Sequence, residues 1–272
     1  MINNTIEQVQ VRYLQIADYQ ELKESMIDAY SNWADSHWKE NQVQKLLDIF
    51  PQGQLGIEVN GRIVGCALAL IIDYDDFDDE HSYREITGNY TFNTHNSEGD
   101  ILYGIEVFIH PDYRGLRLAR RLYDARKELC ERLNLKSIVF GGRIPNYHKF
   151  SDTLSPKDYI QKVKHKEIFD PVLTFQMSND FHVMKVIKNY LNDDTESEGY
   201  AVLMQWNNIY HTKKKRCFSI RKPVVRLGLV QWQMRPYKTL DDLIEQAKYF
   251  VDAVSDYKSD FVMFPEFFNA PL

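Results

Sequence analysis

The sequence predicts an α/β fold with a mixed sheet flanked by helices, and three observations carry that expectation. Leu55–Val59 and Arg62–Ile72 are β-rich runs separated by Asn60-Gly61, the strongest short signal for an antiparallel hairpin. Residues 101–110 read as a strand that Pro111 ends. Residues 114–133 then carry Leu118, Leu122, Ala125, Leu129 and Leu133 at helical spacing, and residues 136–140 return to strand, which outlines a βαβ unit. Finally, Asp18-Tyr19-Gln20-Glu21 has the form of a capping box before Leu22, Met26, Ala29 and Tyr30, so a helix is expected to about Tyr30. A second helix near residues 38–50 stops at Pro51.

At 272 residues the chain has room for one full domain and a remainder. With 44% hydrophobic and 26% charged residues it can bury a sizeable core, and disordered and collagenous classes are excluded. A formal charge of -6 gives no electrostatic footprint for nucleic acid. Cys66, Cys130 and Cys217 are odd in number and have no C-x-x-C spacing, so neither a disulfide framework nor a metal site is expected, and a reducing cytoplasm fits. The polar start and the short apolar runs predict neither export nor membrane insertion.

Residues 73–85 hold seven acids against Arg84, which is a solvated loop first and a surface for a cationic acceptor second. Ser155-Pro156-Lys157-Asp158 and Asp170-Pro171 look like helix starts. Residues 182–190 and 200–206 are the last strands before a basic stretch at 213–222, read as an interdomain linker.

Between the strand at 101–110 and the long helix lies Pro111-Asp112-Tyr113-Arg114-Gly115-Leu116-Arg117-Leu118-Ala119, where free N–H groups and a helix dipole can hold a diphosphate. It resembles the R/Q-x-x-G-x-G/A signature of the GNAT superfamily of acyl-CoA-dependent N-acyltransferases, with Arg114 and Ala119 at its ends and Arg117 where the central glycine belongs. The hairpin at residues 56–67 is similar to the family's second and third strands, and the order of elements agrees from Asp18 to Trp206.

The resemblance implies a GNAT fold over residues 1–212 and acetyl-CoA, or another acyl-CoA, as co-substrate along Arg114, Gly115, Leu116, Arg117, Leu118 and Ala119. It implies that a backbone N–H at a strand bulge near Phe108 or Ile109 polarises the thioester carbonyl. Direct attack by an amine also needs a base, and Glu106 is the candidate, two residues before Phe108 on the same strand face; the alternative is a surface glutamate in an ion pair. The family's tyrosine acid is missing, because Gln176 stands in its place and Asp180 in that of a nearby glycine. Tyr147 and Tyr190 are the substitute candidates. Residues 142–169 look like an insertion, either an acceptor lid or a surface excursion.

Residues 223–272 give a buried-strand pattern at 224–231, a helix at about 239–255 and a strand at 261–264 followed by Pro265-Glu266. This resembles the opening of the carbon–nitrogen hydrolase (nitrilase) superfamily, whose first catalytic residue, a glutamate general base after the second strand, matches Glu266. The family's lysine and cysteine lie downstream, so this is expected to be a truncated nitrilase-like segment of a longer fusion. Cys217 precedes Glu266 and does not supply the nucleophile.

The expectation is an N-acetyltransferase for a small-molecule or peptide amine, without metal, nucleic acid or membrane, its tail able to pack on the first domain or pair with another copy. The alternatives are a non-catalytic acyl-CoA-binding module serving the hydrolase, and a protein whose main activity is amide hydrolysis.

Overall fold

The computed structural model describes residues 8–31, 37–77, 80–212, 225–233 and 236–266, and the chain divides into compact units Met1–Thr212 and Lys213–Leu272. In the first unit a seven-stranded sheet runs in the order β1-β2-β3-β4-β5-β7-β6. Its strands are β1 (Val9–Tyr13), β2 (Leu55–Val59), β3 (Arg62–Ile72), β4 (Ile101–Ile109), β5 (Ser137–Arg143), β6 (His182–Ile187) and β7 (Ala201–Asn207). Every neighbouring pair is antiparallel except β4 and β5, so the sheet is mixed.

Helices α1 (Tyr19–Ala29) and α2 (Glu40–Ile49) cover one face, where Leu22, Met26, Val43 and Leu46 meet Leu68, Leu70 and Tyr103. A single turn, α3 (Tyr83–Ile86), precedes β4. Helices α4 (Leu118–Arg132), α5 (Pro156–Lys164) and α6 (Pro171–Met177) cover the other face, where Leu129, Ile160 and Leu173 meet Leu102, Phe140 and Val202. Each fully buried side chain of this size contributes about 1.5–3 kcal/mol, and β3, buried at all ten residues after Arg62, is the continuous apolar run of a strand covered on both faces.

Local chemistry sets the boundaries. Asn60 and Gly61 are both left-handed, at φ 49° and 84°, as the Asn-Gly hairpin requires. The box expected at Asp18 and Glu21 does not form, because strand β1, which the sequence reading lacks, brings Arg12 to the Asp18 carboxylate at 2.7 and 2.8 Å. Glu21 instead accepts from Ile63 N–H at 2.8 Å and ties α1 to β3. The expected strand at 182–190 stops at Ile187, before Asn189 turns left-handed.

Residues 142–169 are not a loose surface excursion. Tyr147, Tyr159, Ile160 and Val163 are buried in the core under Phe140 and Val202. Part of the acidic stretch at 73–85 is spent locally: Glu85 accepts from Ser82 N–H at 2.7 Å and Asp73 from Asp75 N–H at 3.2 Å. Residues 78–79 of that stretch lie outside the described residues.

In the second unit β8 (Leu227–Leu229), α7 (Leu240–Asp256) and β9 (Phe261–Met263) form a parallel βαβ element, with Gly228 against Val254. Leu227, Leu229, Phe261 and Met263 remain exposed. The basic stretch at 213–222, with Cys217, lies outside the described residues. Among the described residues no helix is long and apolar enough to cross a membrane.

Asp170 joins the two helices of the 142–177 region. Its carboxylate accepts from Val172 and Leu173 N–H at the start of α6 and from the Tyr159 hydroxyl at 2.8 Å. Asp170→Ala removes a cap and orphans a buried phenol, so a loss of about 2–4 kcal/mol is expected in urea unfolding.

Candidate functional site

β4 and β5 pair over Ile101–Tyr103 and Ser137–Val139 only, although both strands continue, so the sheet opens between them. The register of β4 against β3 shifts between Leu68 and Ala69: Leu68 faces Glu106 and Ala69 faces Gly104, leaving Ile105 as a bulge. The extra residue turns Ile105 and Glu106 toward the α1 face. The bulge therefore lies upstream of the Phe108–Ile109 position expected from the sequence.

His110 N–H donates to Val64 O at 2.7 Å. Since bonded and non-bonded pairs alternate along an antiparallel ladder, Phe108 spends its N–H on Cys66, and Val107 and Ile109 direct theirs into the opening. The register thus turns the Phe108 N–H into the sheet, and the open N–H groups of this stretch are those of Val107 and Ile109. The bulge carbonyls are served by side chains: Tyr83 donates to Ile105 O at 2.9 Å, and Arg126 from α4 donates to Leu68 O and Glu106 O at 2.9 Å each.

Glu106 and Val107 are the partly exposed residues of β4. The Glu106 carboxylate accepts from the Tyr30 hydroxyl at 2.7 Å, Trp38 Nε1 at 3.3 Å and Val107 N–H at 3.0 Å, and the charge of Arg143 at the end of β5 also acts on it. Desolvation pushes its pKa above the usual carboxylate range, and these three bonds work against that rise. A carboxylate raised in this way beside open backbone donors can accept a proton from an attacking nucleophile.

At the end of β4, His110 holds the turn to α4. Its Nδ1 accepts from Asp112 N–H at 3.2 Å, which leaves Nε2 to donate to Asp28 at 2.9 Å. Pro111–Tyr113 form a 3-10 turn, so α4 begins at Leu118 and not at Arg114. The Arg114 side chain folds back to Ile109 O at 3.4 Å and Ala29 O at 3.3 Å. Gly115 has φ 83° and Arg117 φ 59°, and Arg117 places no side-chain cap on α4. The first-turn N–H groups of α4 thus stay available to an anion. Leu118 is buried beneath them, whereas Leu116 is exposed and Ala119 is intermediate.

The tyrosine candidates part company. Tyr147 is buried, packs on Tyr159 and Tyr200, and donates to Leu154 O at 3.1 Å, which is a packing role away from Glu106's hydrogen-bonding partners. Tyr190 lies on the Glu106 face against Gly141, in a hydrogen-bonded row with Tyr103 at 2.9 Å and, beyond it, His81 at 3.0 Å. Burial raises the pKa of Tyr190, so it is a neutral phenol. Gln176 is buried against Gly142 on the opposite face, and burial pushes the Tyr123 phenol up to about 12. Asp180, at φ 64°, keeps the left-handed turn of the glycine it replaces and pairs with Lys127 at 3.0 Å.

Sequence reasoning missed Tyr30, Trp38, Tyr123 and Arg126; only the register of the bulge and helix packing bring them here. Glu266 is exposed, beyond the end of β9. Among the described residues no group of three or more metal-ligating side chains assembles.

The acetyltransferase (GNAT) family profile matches residues 19–149. An uncharacterized N-acetyltransferase of Bacillus subtilis, YkwB, is 34% identical over 180 residues, which is 66% of this chain and 79% of that protein. The B. subtilis protein described as a probable hydrolase, YhcX, is 43% identical over 237 residues, 86% of this chain and 46% of that protein, so the chain spans under half the length of this relative. A structure of the GphF GNAT-like decarboxylase in complex with isobutyryl-CoA aligns at a TM-score of 0.61 and 18% identity, covering 73% of this chain and 98% of that one. The chain belongs to the GNAT acetyltransferase family, and its first unit has the GNAT acyltransferase fold.

The left-handed Arg117 tests the reason for a glycine at that place. An L-residue there carries a strain of about 1–2 kcal/mol. Arg117→Gly is expected to recover about 1 kcal/mol net of its greater unfolded-state entropy, and Arg117→Val to lose at least as much. Chemical denaturation of the two variants reads both signs.

Proposed function

We propose that residues 1–212 transfer an acetyl group from acetyl-CoA, or the acyl group of another acyl-CoA, to a small-molecule or peptide amine by direct attack on the thioester. The observation that carries this reading is the Glu106 carboxylate standing beside the Val107 and Ile109 N–H groups in the β4–β5 opening, one turn of chain from the uncapped start of α4. The donor's diphosphate would lie along Arg114–Ala119 and its carbonyl at the open β4 donors. The amine nitrogen bonds to the carbonyl carbon and gives its proton to Glu106. The C–S bond breaks, and the thiolate takes a proton from a phenol or water; Tyr190, which lies on Gly141 in the part of β5 that is not paired with β4, is the phenol we assign. GphF's complex with isobutyryl-CoA supports an acyl-CoA ligand on this fold. The buried, free Cys66 and Cys130 agree with a cytoplasmic setting.

A second reading, a non-catalytic acyl-CoA-binding module, is favoured by Gln176 where an acid is expected and by the charge of Arg117 at the phosphate turn. Thiol release from acetyl-CoA across a panel of amines separates the two: turnover supports the enzyme, and saturable binding without turnover on any amine supports the module.

We also infer that residues 223–272 begin a carbon–nitrogen hydrolase domain in a longer chain. The relation to YhcX and the parallel β8–α7–β9 element with Glu266 after its second strand support this. Glu266→Gln is expected to leave acyl transfer by residues 1–212 unchanged. Deleting residues 213–272 is expected to leave acetyl-CoA affinity intact in calorimetry.

Glu106 works as the carboxylate, so activity is expected to fall as pH drops through a pKa above the usual ~4.3 for glutamate. Glu106→Gln should lower turnover by about 10²–10⁴ with acetyl-CoA affinity retained. Tyr30→Phe removes a bond that favours the charged form, and its acid limb should move to higher pH. pH–rate profiles of the three proteins check both.

A further inference from the structure

Arg126 is 2% exposed and lies on the face of the sheet opposite the Glu106 side chain. Its Nη2 bridges the seam between β3 and β4, holding Leu68 O and Glu106 O at 2.9 Å each. It takes backbone carbonyls as partners although burial disfavours its charge, and its Nε has no partner among the described residues. Room for the guanidinium exists because residue 104 is glycine: a Cβ there would stand 2.7 Å from Arg126 Nη1. A buried cation aimed at one peptide group polarises that group, since the C=O it holds and the N–H across the same amide strengthen together.

The peptide in question joins Glu106 C=O to Val107 N–H. The carbonyl points to the β3 seam and Arg126, and the N–H points into the opening, where it binds Glu106 Oε1 at 3.0 Å. That bond favours the charged carboxylate together with those from Tyr30 and Trp38 and the charge of Arg143 on β5, while burial opposes it. The same N–H is an open-edge donor at which a thioester oxygen can sit.

We propose that acyl-donor binding passes the Val107 N–H from the Glu106 carboxylate to the thioester oxygen, and that Arg126, gripping the carbonyl of the same peptide from the far face, is the positioning residue that keeps this N–H on the opening. Loss of the bond makes Glu106 more basic when the donor arrives, so the base is activated only with its substrate in place. The inference rests on the acyltransferase reading above and adds a link between donor binding and protonation. Because the pKa of Glu106 rises on binding, the protein takes up protons from solvent near that pKa.

The test is calorimetry of the full chain with acetyl-CoA, without amine, in buffers of different ionisation enthalpy on the acid limb of the rate profile. Wild type is expected to take up protons with acetyl-CoA and far fewer with S-ethyl-CoA, the thioether that lacks the carbonyl. Glu106→Gln is expected to bind acetyl-CoA without uptake. Arg126→Met is expected to keep donor affinity, lose most of the uptake and turn over about 10²-fold more slowly with little change in KM, as loss of an oriented donor does. Arg126→Lys should recover part of the uptake.

Acetyl-CoA binding without proton uptake, or equal uptake with S-ethyl-CoA, overturns the inference and leaves the acyltransferase reading standing. Absence of binding of either compound to the wild type overturns both. The wild-type comparison needs no variant and stays decisive if Arg126→Met does not fold.

Discussion

One extra residue in β4, Ile105, is the constraint on which the site depends. Without the bulge, the alternation of an antiparallel strand would continue unbroken past Gly104 and Glu106 would project toward α4. With it, Glu106 meets Tyr30 and Trp38 on the α1 side. The carbonyls displaced from the ladder need partners, and Tyr83 and Arg126 supply them from the two faces. A buried arginine is costly unless hydrogen-bonded, so its retention here follows from the bulge.

The parting of β4 from β5 is the second element of the same device. Parallel strands share bonds at only three positions and then run unpaired, which in an ordinary sheet would leave costly orphan groups. On the β4 side Glu106 itself covers one of them through the Val107 N–H. On the β5 side Gly141 and Gly142 let Tyr190 and Gln176 lie directly on the strand from opposite faces. The opening is therefore lined by side chains, and the backbone donors of β4 there stay unclaimed by the sheet.

Two family glycines are replaced in this chain, by Arg117 and Asp180, yet both positions keep a left-handed backbone, at φ 59° and 64°. The turn geometry is thus held by the surrounding structure more firmly than by the residue. Asp180 tolerates that conformation through its short polar side chain, and its pairing with Lys127 adds a contact glycine could not make. Arg117 has no such partner among the described hydrogen bonds, and its strain is borne at the point where the α4 N–H groups must face outward. The left-handed backbone before α4 is thus kept although Arg117 departs from the family's glycine.

Much of the architecture was legible in local chemistry. Asn60-Gly61 specified the hairpin, Pro111 ended β4, the leucine stripe marked α4, and Ser155 and Asp170 capped their helices, because each of these acts within a few residues of chain. The order of Glu106, Pro111 and the turn before α4 was legible through its resemblance to the GNAT signature. Strand β1 was not, since Val9 and Val11 alternate too briefly to signal without β2 beside them. The core role of residues 142–169 depended on burial against β5 and β7, which no local pattern records. The bulge, and with it the approach of Tyr30, Trp38 and Arg126 to one glutamate, arises from a one-residue offset between two strands far apart in sequence. Sequence alone determined most of the strands and helices after β1 and which carboxylate stands before the turn. Only the tertiary structure decided which backbone N–H groups face the opening and what holds them there, because strand register and helix placement are settled by packing across the sheet.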